Sequence, residues 1–270
     1  MNLQLKKFDM SNVAENSVTI YVARRGSGKS TLVKDQMYYH RDIPVGTIIS
    51  PTEFSNKFYQ NFVPKMFIHP KFDTGIIKNF VTRQKKMKKR INKYGENIDP
   101  RAYLIMDDCM YDNSWKRDVN INEIFFNGRW MGAMTILCLQ DPMGLLPAQR
   151  NNVDYTFILK DTKISNRRKI YEHYASVFPT FEMFCAVMDQ CTQNYECLVI
   201  NNKEVGGKLE DQVFWYKADI HEDFRVGPDE IWRYSDENCK EDDDSDDEEI
   251  NINTYHSKKM PKVNVKKIVI

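Results

Sequence analysis

The sequence predicts an α/β domain with a mainly parallel central sheet flanked by helices, and three stretches carry that prediction. Ser17 to Thr31, S-V-T-I-Y-V-A-R-R-G-S-G-K-S-T, is a β-branched apolar run that breaks into a glycine-rich turn. Arg101 to Asp108, R-A-Y-L-I-M-D-D, is a second apolar run, ended by paired acids. Met134 to Leu139, M-T-I-L-C-L, is a third, closed by Gln140-Asp141-Pro142. Short continuous apolar runs separated by helical patterns are the signature of strands buried on both faces.

The 270 residues, 41% hydrophobic and 12% aromatic, suffice for one large domain with an appendage. The formal charge of +1 conceals an asymmetry. Residues 1–235 carry 33 basic and 28 acidic residues, Asp236 to Glu249 ten acids and one lysine, and the last 21 residues five lysines and no acid. The expected division is therefore a folded domain over 1–225 and a disordered acidic, then basic, tail over 226–270. The six cysteines form no C-x-x-C pair and read as reduced thiols. No signal-peptide pattern opens the chain, and no run nears the ~20 apolar residues of a membrane span. A soluble intracellular protein is expected.

The element order follows from local pattern. Residues 1–16 are expected to pack on the first strand, Val18 to Val22. A helix over Ser30 to Tyr39 places Leu32, Val33, Gln36 and Met37 on one face. Gly46 to Ser50 is a short strand ended by Pro51, and the aromatic-rich stretch from Phe54 to Phe67 reads equally as helix or folded loop. Thr74 to Tyr94 is a helix with eight Lys or Arg and no acid, its apolar residues recurring three, four and seven apart. Such a face suits a phosphate backbone. Asn120 to Trp130 reads as a helix with Ile121, Ile124, Phe125 and Trp130 inward. Asp154 to Leu159 is a strand, Ser165 to Tyr174 and Pro179 to Cys191 are helices, and Glu196 to Ile200 and Val213 to Tyr216 are strands about a Gly206-Gly207 turn.

The glycine-rich turn has the chemistry of a phosphate loop. Backbone N–H groups of Arg25, Gly26, Ser27, Gly28, Lys29, Ser30 and Thr31 can cradle phosphate oxygens, helped by the positive end of the following helix. Lys29 reaches the β- and γ-phosphates, and the Ser30 hydroxyl is placed for Mg²⁺. Ala23 stands where the common G-x-x-x-x-G-K-[ST] pattern has its first glycine, which is harmless if its φ is negative. Asp107 lies 78 residues beyond Lys29 at a strand end, the Walker B arrangement for holding the Mg²⁺ shell. Asp108 beside it is suited to activating water, and Gln140, at the end of a neighbouring strand, to sensing the γ-phosphate.

Together the loop, the I-M-D-D-C of Ile105 to Cys109, the tripeptide Asn127-Gly128-Arg129 and the strand-end Gln140 resemble the genome-packaging ATPases of large nucleocytoplasmic DNA viruses, within the FtsK–HerA group of DNA translocases. The resemblance spans roughly residues 15–200. It implies a RecA-like core, ATP and Mg²⁺ as ligands, and a homo-oligomeric ring, a hexamer, threading double-stranded DNA. It further implies an arginine acting from the adjacent subunit, with Arg129, Arg150, Arg167 and Arg168 available and Arg167 or Arg168 favoured by position. The resemblance says nothing of the tail, whose final basic and apolar stretch reads either as a docking peptide for a capsid or other viral protein or as disordered chain; the expected location is the host cytoplasm or the virion. A small-molecule P-loop kinase and a nucleotide-switched scaffold without turnover are the rival readings.

Overall fold

The computed structural model describes residues 3–204 and 207–239. Nine strands form one sheet: β1 (Lys6–Lys7), β2 (Val18–Val22), β3 (Gly46–Ile49), β4 (Ile68–His69), β5 (Ala102–Met106), β6 (Ala133–Leu139), β7 (Tyr155–Ile158), β8 (Glu196–Asn201) and β9 (Val213–Lys217). Their order is β1-β9-β8-β7-β2-β6-β5-β3-β4, and β8 alone runs against the rest. The predicted mainly parallel sheet is thus present. The helices among the described residues are α1 (Lys29–Tyr39), α2 (Glu53–Asn56), α3 (Thr74–Tyr94), α4 (Val119–Met131), α5 (Pro147–Arg150), α6 (Ile164–Tyr174), α7 (Phe181–Cys191), α8 (Leu209–Gln212) and α9 (Asp229–Asn238). None is long and apolar enough to cross a membrane.

The period-two alternation of the strands divides the core. Val18, Ile20 and Val22 of β2 face a layer built on α3, α4, α6 and α7, through Ile77, Phe80, Ile124, Ile170 and Phe184. Tyr21 faces the other layer, with Leu32, Val33 and Met37 of α1 and the aromatic turns at Tyr59 and Phe62. Covering both faces is what a parallel sheet requires, and it explains why β2, β5 and β6 are buried along their whole length.

The structure corrects or refines three sequence expectations. Trp130 is 57% exposed, because a 3.6-residue turn puts Ile121, Ile124, Phe125, Gly128 and Met131 on one stripe and position 130 opposite it. The lead-in packs into the core layer of Tyr21 of β2 through Phe8, Met10 and Val13, while its own strand lies elsewhere in the sheet. Lys6 and Lys7 pair with Phe214 and Trp215 at the far edge, and Phe8 packs edge-on against Tyr155, Phe157, Phe214 and Tyr216. The α3 stripe is buried only over Ile77, Phe80, Val81 and Gln84, while Tyr94 is exposed. Gln84 ties this helix down by donating to the carbonyls of Pro100 at 2.7 Å and Met131 at 2.9 Å.

The folded body also runs past residue 225. Val226 N–H donates to Phe62 at 2.9 Å, Gly227 N–H donates to Arg41 at 2.8 Å, and Trp232 Nε1 of α9 donates to Val226 at 3.0 Å. Residues 240–270, which carry most of the charged tail, and position 206 of the expected Gly206-Gly207 turn lie outside the described residues. Because Trp232 is nearly fully buried, Trp232→Ala is expected to cost about 3 kcal/mol in urea denaturation. An unchanged midpoint would show that α9 contributes nothing to the fold.

Candidate functional site

The ends of three adjacent strands build the site. β6 lies between β2 and β5, in register Val22↔Leu139 on one side and Met106↔Leu137 on the other. The three parallel strands therefore deliver the glycine loop, Gln140 and the two acids to one edge of the sheet. A cavity of about 680 Å³ opens there, lined by loop residues Arg25 to Thr31 other than Ser27, by Asp107 and Asp108, and at its margins by Thr52, Tyr195 and Ile220.

Ala23 continues the ladder, its N–H donating to Leu139 at 2.9 Å, and its φ is not positive. The departure from glycine therefore carries no backbone strain. Gly26 (φ 76°) and Gly28 (φ 97°) are left-handed, the conformation that keeps them glycine. Ser27 Oγ donates to Arg24 at 2.7 Å and closes the turn. Lys29 is buried at the first position of α1. Its Nζ donates to the carbonyls of Ala23 and Arg24, both at 3.2 Å, so the ammonium sits at the centre of its own loop.

Ser30 Oγ donates to Asp107 Oδ2 at 3.2 Å, joining the two halves of the expected Mg²⁺ site. Tyr59 OH donates to the same oxygen at 2.8 Å. Burial, and then the adjacent Asp107 carboxylate, push the Tyr59 phenol far up, so it remains a donor. Tyr59 is held by Glu53, whose carboxylate accepts from the backbone of Tyr59 at 3.0 Å and Gln60 at 2.9 Å. Burial likewise raises the thiols of Cys109 and Cys138, with Asp107 adding to both, so neither is a thiolate near this site. Asp108 is left-handed at φ 56°, a strained conformation for a non-glycine residue, and its Oδ1 accepts from Gln140 Nε2. One hydroxyl and one carboxylate suit Mg²⁺, which retains most of its water and phosphate shell. Among the described residues no cluster of three His, Cys, Asp or Glu competes for a metal.

None of the four candidate arginines lines this cavity. Arg129 pairs with buried Asp154, whose other oxygen accepts from Val18 N–H at 2.8 Å, at the opposite end of β2. Arg150 donates to Leu145 at 2.6 Å. Arg167 is buried, donating to the Asp161 carbonyl at 2.6 Å and to Asp189 at 2.5 Å. Arg168 is exposed, its guanidinium 4.2 Å over the Phe181 ring. Sequence reasoning missed Tyr59, Glu53 and Tyr195. The aromatic density of 54–67 was the available signal for Tyr59, and nothing local marked Tyr195.

The loop, the acid pair and the sheet order define the P-loop NTPase fold with a RecA-like core. The same fold occurs in the genome-packaging NTPase B204 of Sulfolobus turreted icosahedral virus 2, in a structure with AMP, at a TM-score of 0.53 and 19% identity, covering 77% of this chain and all of that one. It occurs also in the pCW3 conjugation coupling protein TcpA with ATPγS, at 0.53 and 13% identity, covering 76% of this chain and 60% of that one. No protein-family model matches. In sequence the chain is 40% identical over 219 residues to the uncharacterized protein L437 of Acanthamoeba polyphaga mimivirus, covering 80% of this chain and 77% of that protein. It is 37% identical over 219 residues to the uncharacterized protein 075L of Invertebrate iridescent virus 6, covering 80% and 83%. The chain belongs to the viral family these proteins represent, and the resemblance to packaging ATPases carried by its motifs is matched by its fold.

Removing the phenol tests the shared carboxylate. Tyr59→Phe leaves buried Asp107 one donor short and is expected to lower stability by about 1–3 kcal/mol in denaturant titration. A variant as stable as the parent would mean that the contact carries no net energy.

Proposed function

We propose that the chain is an ATP-hydrolysing motor that moves viral double-stranded DNA into the capsid, working as a homo-oligomeric ring. The observation that carries the reading is the convergence of Lys29, the Ser30–Asp107 contact and the Asp108–Gln140 contact at the ends of three adjacent parallel strands. The complexes of B204 and TcpA with adenine nucleotides support ATP as the ligand.

In this mechanism the loop amides and Lys29 hold the phosphates, and Ser30 with Asp107 holds Mg²⁺, which would supply charge neutralisation at the β- and γ-oxygens. Asp108 takes the proton of the attacking water, and Gln140 fixes the orientation of that carboxylate and registers the γ-phosphate. Burial of Asp107 and the ready-made positions of the donors mean that little reorganisation accompanies the charge shift. An arginine from the neighbouring subunit completes the charge balance. Arg168 is the better suited of the two favoured, because the Arg167 guanidinium is committed to Asp161 and Asp189.

DNA contact is assigned to the cationic face of α3. Two of its eight cations are partly neutralised, Lys85 by Glu123 and Arg90 by Glu96, which leaves Lys78, Lys86, Lys89 and their neighbours for a backbone. Contacts of this kind are sequence-independent and weaken with salt.

Phosphate release from ATP, with and without double-stranded DNA, is the test. DNA-stimulated turnover should fall about 100-fold or more in Lys29→Ala and in Asp108→Asn. Arg168→Ala should be inactive alone and regain turnover when mixed with Lys29→Ala, since some interfaces then join an intact loop to an intact arginine. Binding of ATP without turnover under any DNA condition would refute the motor and leave a nucleotide switch. Transfer of phosphate to a small acceptor would make the protein a kinase.

A further inference from the structure

The phosphate end of the site is built from the glycine loop and the acids, but the cavity extends beyond them. It is lined also by Tyr195, Lys217, Ala218 and Ile220. Two of these are large apolar side chains left in solvent, Tyr195 at 71% and Ile220 at 95% exposure. β8 is antiparallel to β7 and β9, so the turn entering β8 and the chain leaving β9 both return to the edge that carries the loop. Glu196 pairs with Lys217 across that edge, which sets Tyr195 and Ala218 on either side of it.

The backbone at Tyr195 is unusual. Asn194 (φ 51°) and Tyr195 (φ 65°) are two consecutive left-handed residues, neither a glycine. Conformations of this kind persist where the surrounding structure enforces them, and they cluster at ligand sites. Here they carry the aromatic ring to the loop: a Cβ added at Gly28 would lie 3.5 Å from Tyr195 Cδ1. The segment after β9 is fixed to the loop helix itself. Asp35 of α1 accepts from Tyr216 OH at 2.5 Å and from Asp219 N–H at 3.4 Å, and its other oxygen contacts His221 Nε2 at 2.5 Å. Tyr38 of the same helix stacks on His221 at 3.7 Å. Ile220 is thereby anchored on both sides although its own side chain touches little.

We propose that Tyr195 and the Ala218–Ile220 segment form the base subsite of the nucleotide pocket, with the Tyr195 ring as the stacking platform and Ile220 closing over the other face. This rests on the reading of the loop as the phosphate site. It accounts for an exposed aromatic on a strained turn beside the loop glycines, and for an exposed isoleucine on an anchored segment. Every nucleobase presents a π-face, so stacking supplies affinity without demanding a particular base edge.

The test uses the triphosphate of 2-aminopurine riboside, whose emission is quenched when the base stacks on an aromatic ring, together with unlabelled ATP. Wild-type protein should quench the probe. Tyr195→Ala should bind ATP about 10- to 100-fold more weakly and lose the quenching, with an unchanged thermal midpoint, while Tyr195→Phe retains both binding and quenching. Lys29→Ala reports separately on the loop. If Tyr195→Ala binds and quenches as wild type does while Lys29→Ala fails to bind, the base subsite is wrong and the phosphate site stands. Loss of quenching in Tyr195→Phe would also overturn the platform, since the ring is kept. If wild type does not bind, or Lys29→Ala binds as wild type does, the loop reading falls and the subsite with it.

Discussion

The registration of β6 between β2 and β5 is the constraint on which the rest depends. Hydrogen bonds between parallel strands fix their ends to within one residue, so the loop after Val22, the amide at Gln140 and the acids after Met106 cannot drift independently. The ladder continues into the site itself: Ala23 N–H donates to Leu139 at 2.9 Å, and Asp107 N–H donates to Ile49 at 2.9 Å. Because all three strands are covered on both faces, this alignment is among the most protected parts of the molecule. The irregular backbone of the site lies just beyond the strand ends, at the left-handed glycines and the left-handed Asp108.

Around that rigid edge the site is closed by parts from distant places in the chain. The stretch between β3 and β4 supplies Tyr59 to the Asp107 carboxylate. The stretch after β9 is clasped by Asp35, where burial raises the carboxyl and hydrogen bonds from Tyr216 and His221 oppose the rise. Both contacts bury an acid with its partners rather than leaving it to water, which is the condition for keeping a charge inside. The sheet thus fixes the loop and the two acids, and α1 follows the glycine loop and carries Asp35, which holds the segment after β9.

Much of this was legible in the chain. The runs at 18–22, 102–106 and 133–139 hold no charged residue and are apolar but for Thr19 and Thr135, and the glycine spacing before Lys29 leaves few structural alternatives, so the central strands and the loop could be placed directly. Asp107 and Asp108 were legible because their position after a strand has a chemical meaning. What could not be read depends on contacts between remote segments. Tyr59 meets Asp107 across 48 residues, and His221 meets Asp35 across 186, with no local pattern to announce either. Trp130 was misplaced for a different reason. Its aromatic character suggested burial, whereas the helical angle from Ile121 puts it on the outside. Arg167 and Arg168 are neighbours in sequence, and only their packing separates a buried structural arginine from an exposed one.

The position of the Lys29 ammonium has one further consequence. It rests on two carbonyls of its own loop, which tie the lysine to the backbone it serves. An incoming group must displace two neutral acceptors from a cation already removed from water, and only a group with more negative charge gains by the exchange. On the proposed reading the loop would act as a charge threshold: a hydroxyl or a peptide carbonyl would gain little there, and a chain of phosphates more. Occupancy would be set by the charge of what arrives, before any feature of its shape is consulted.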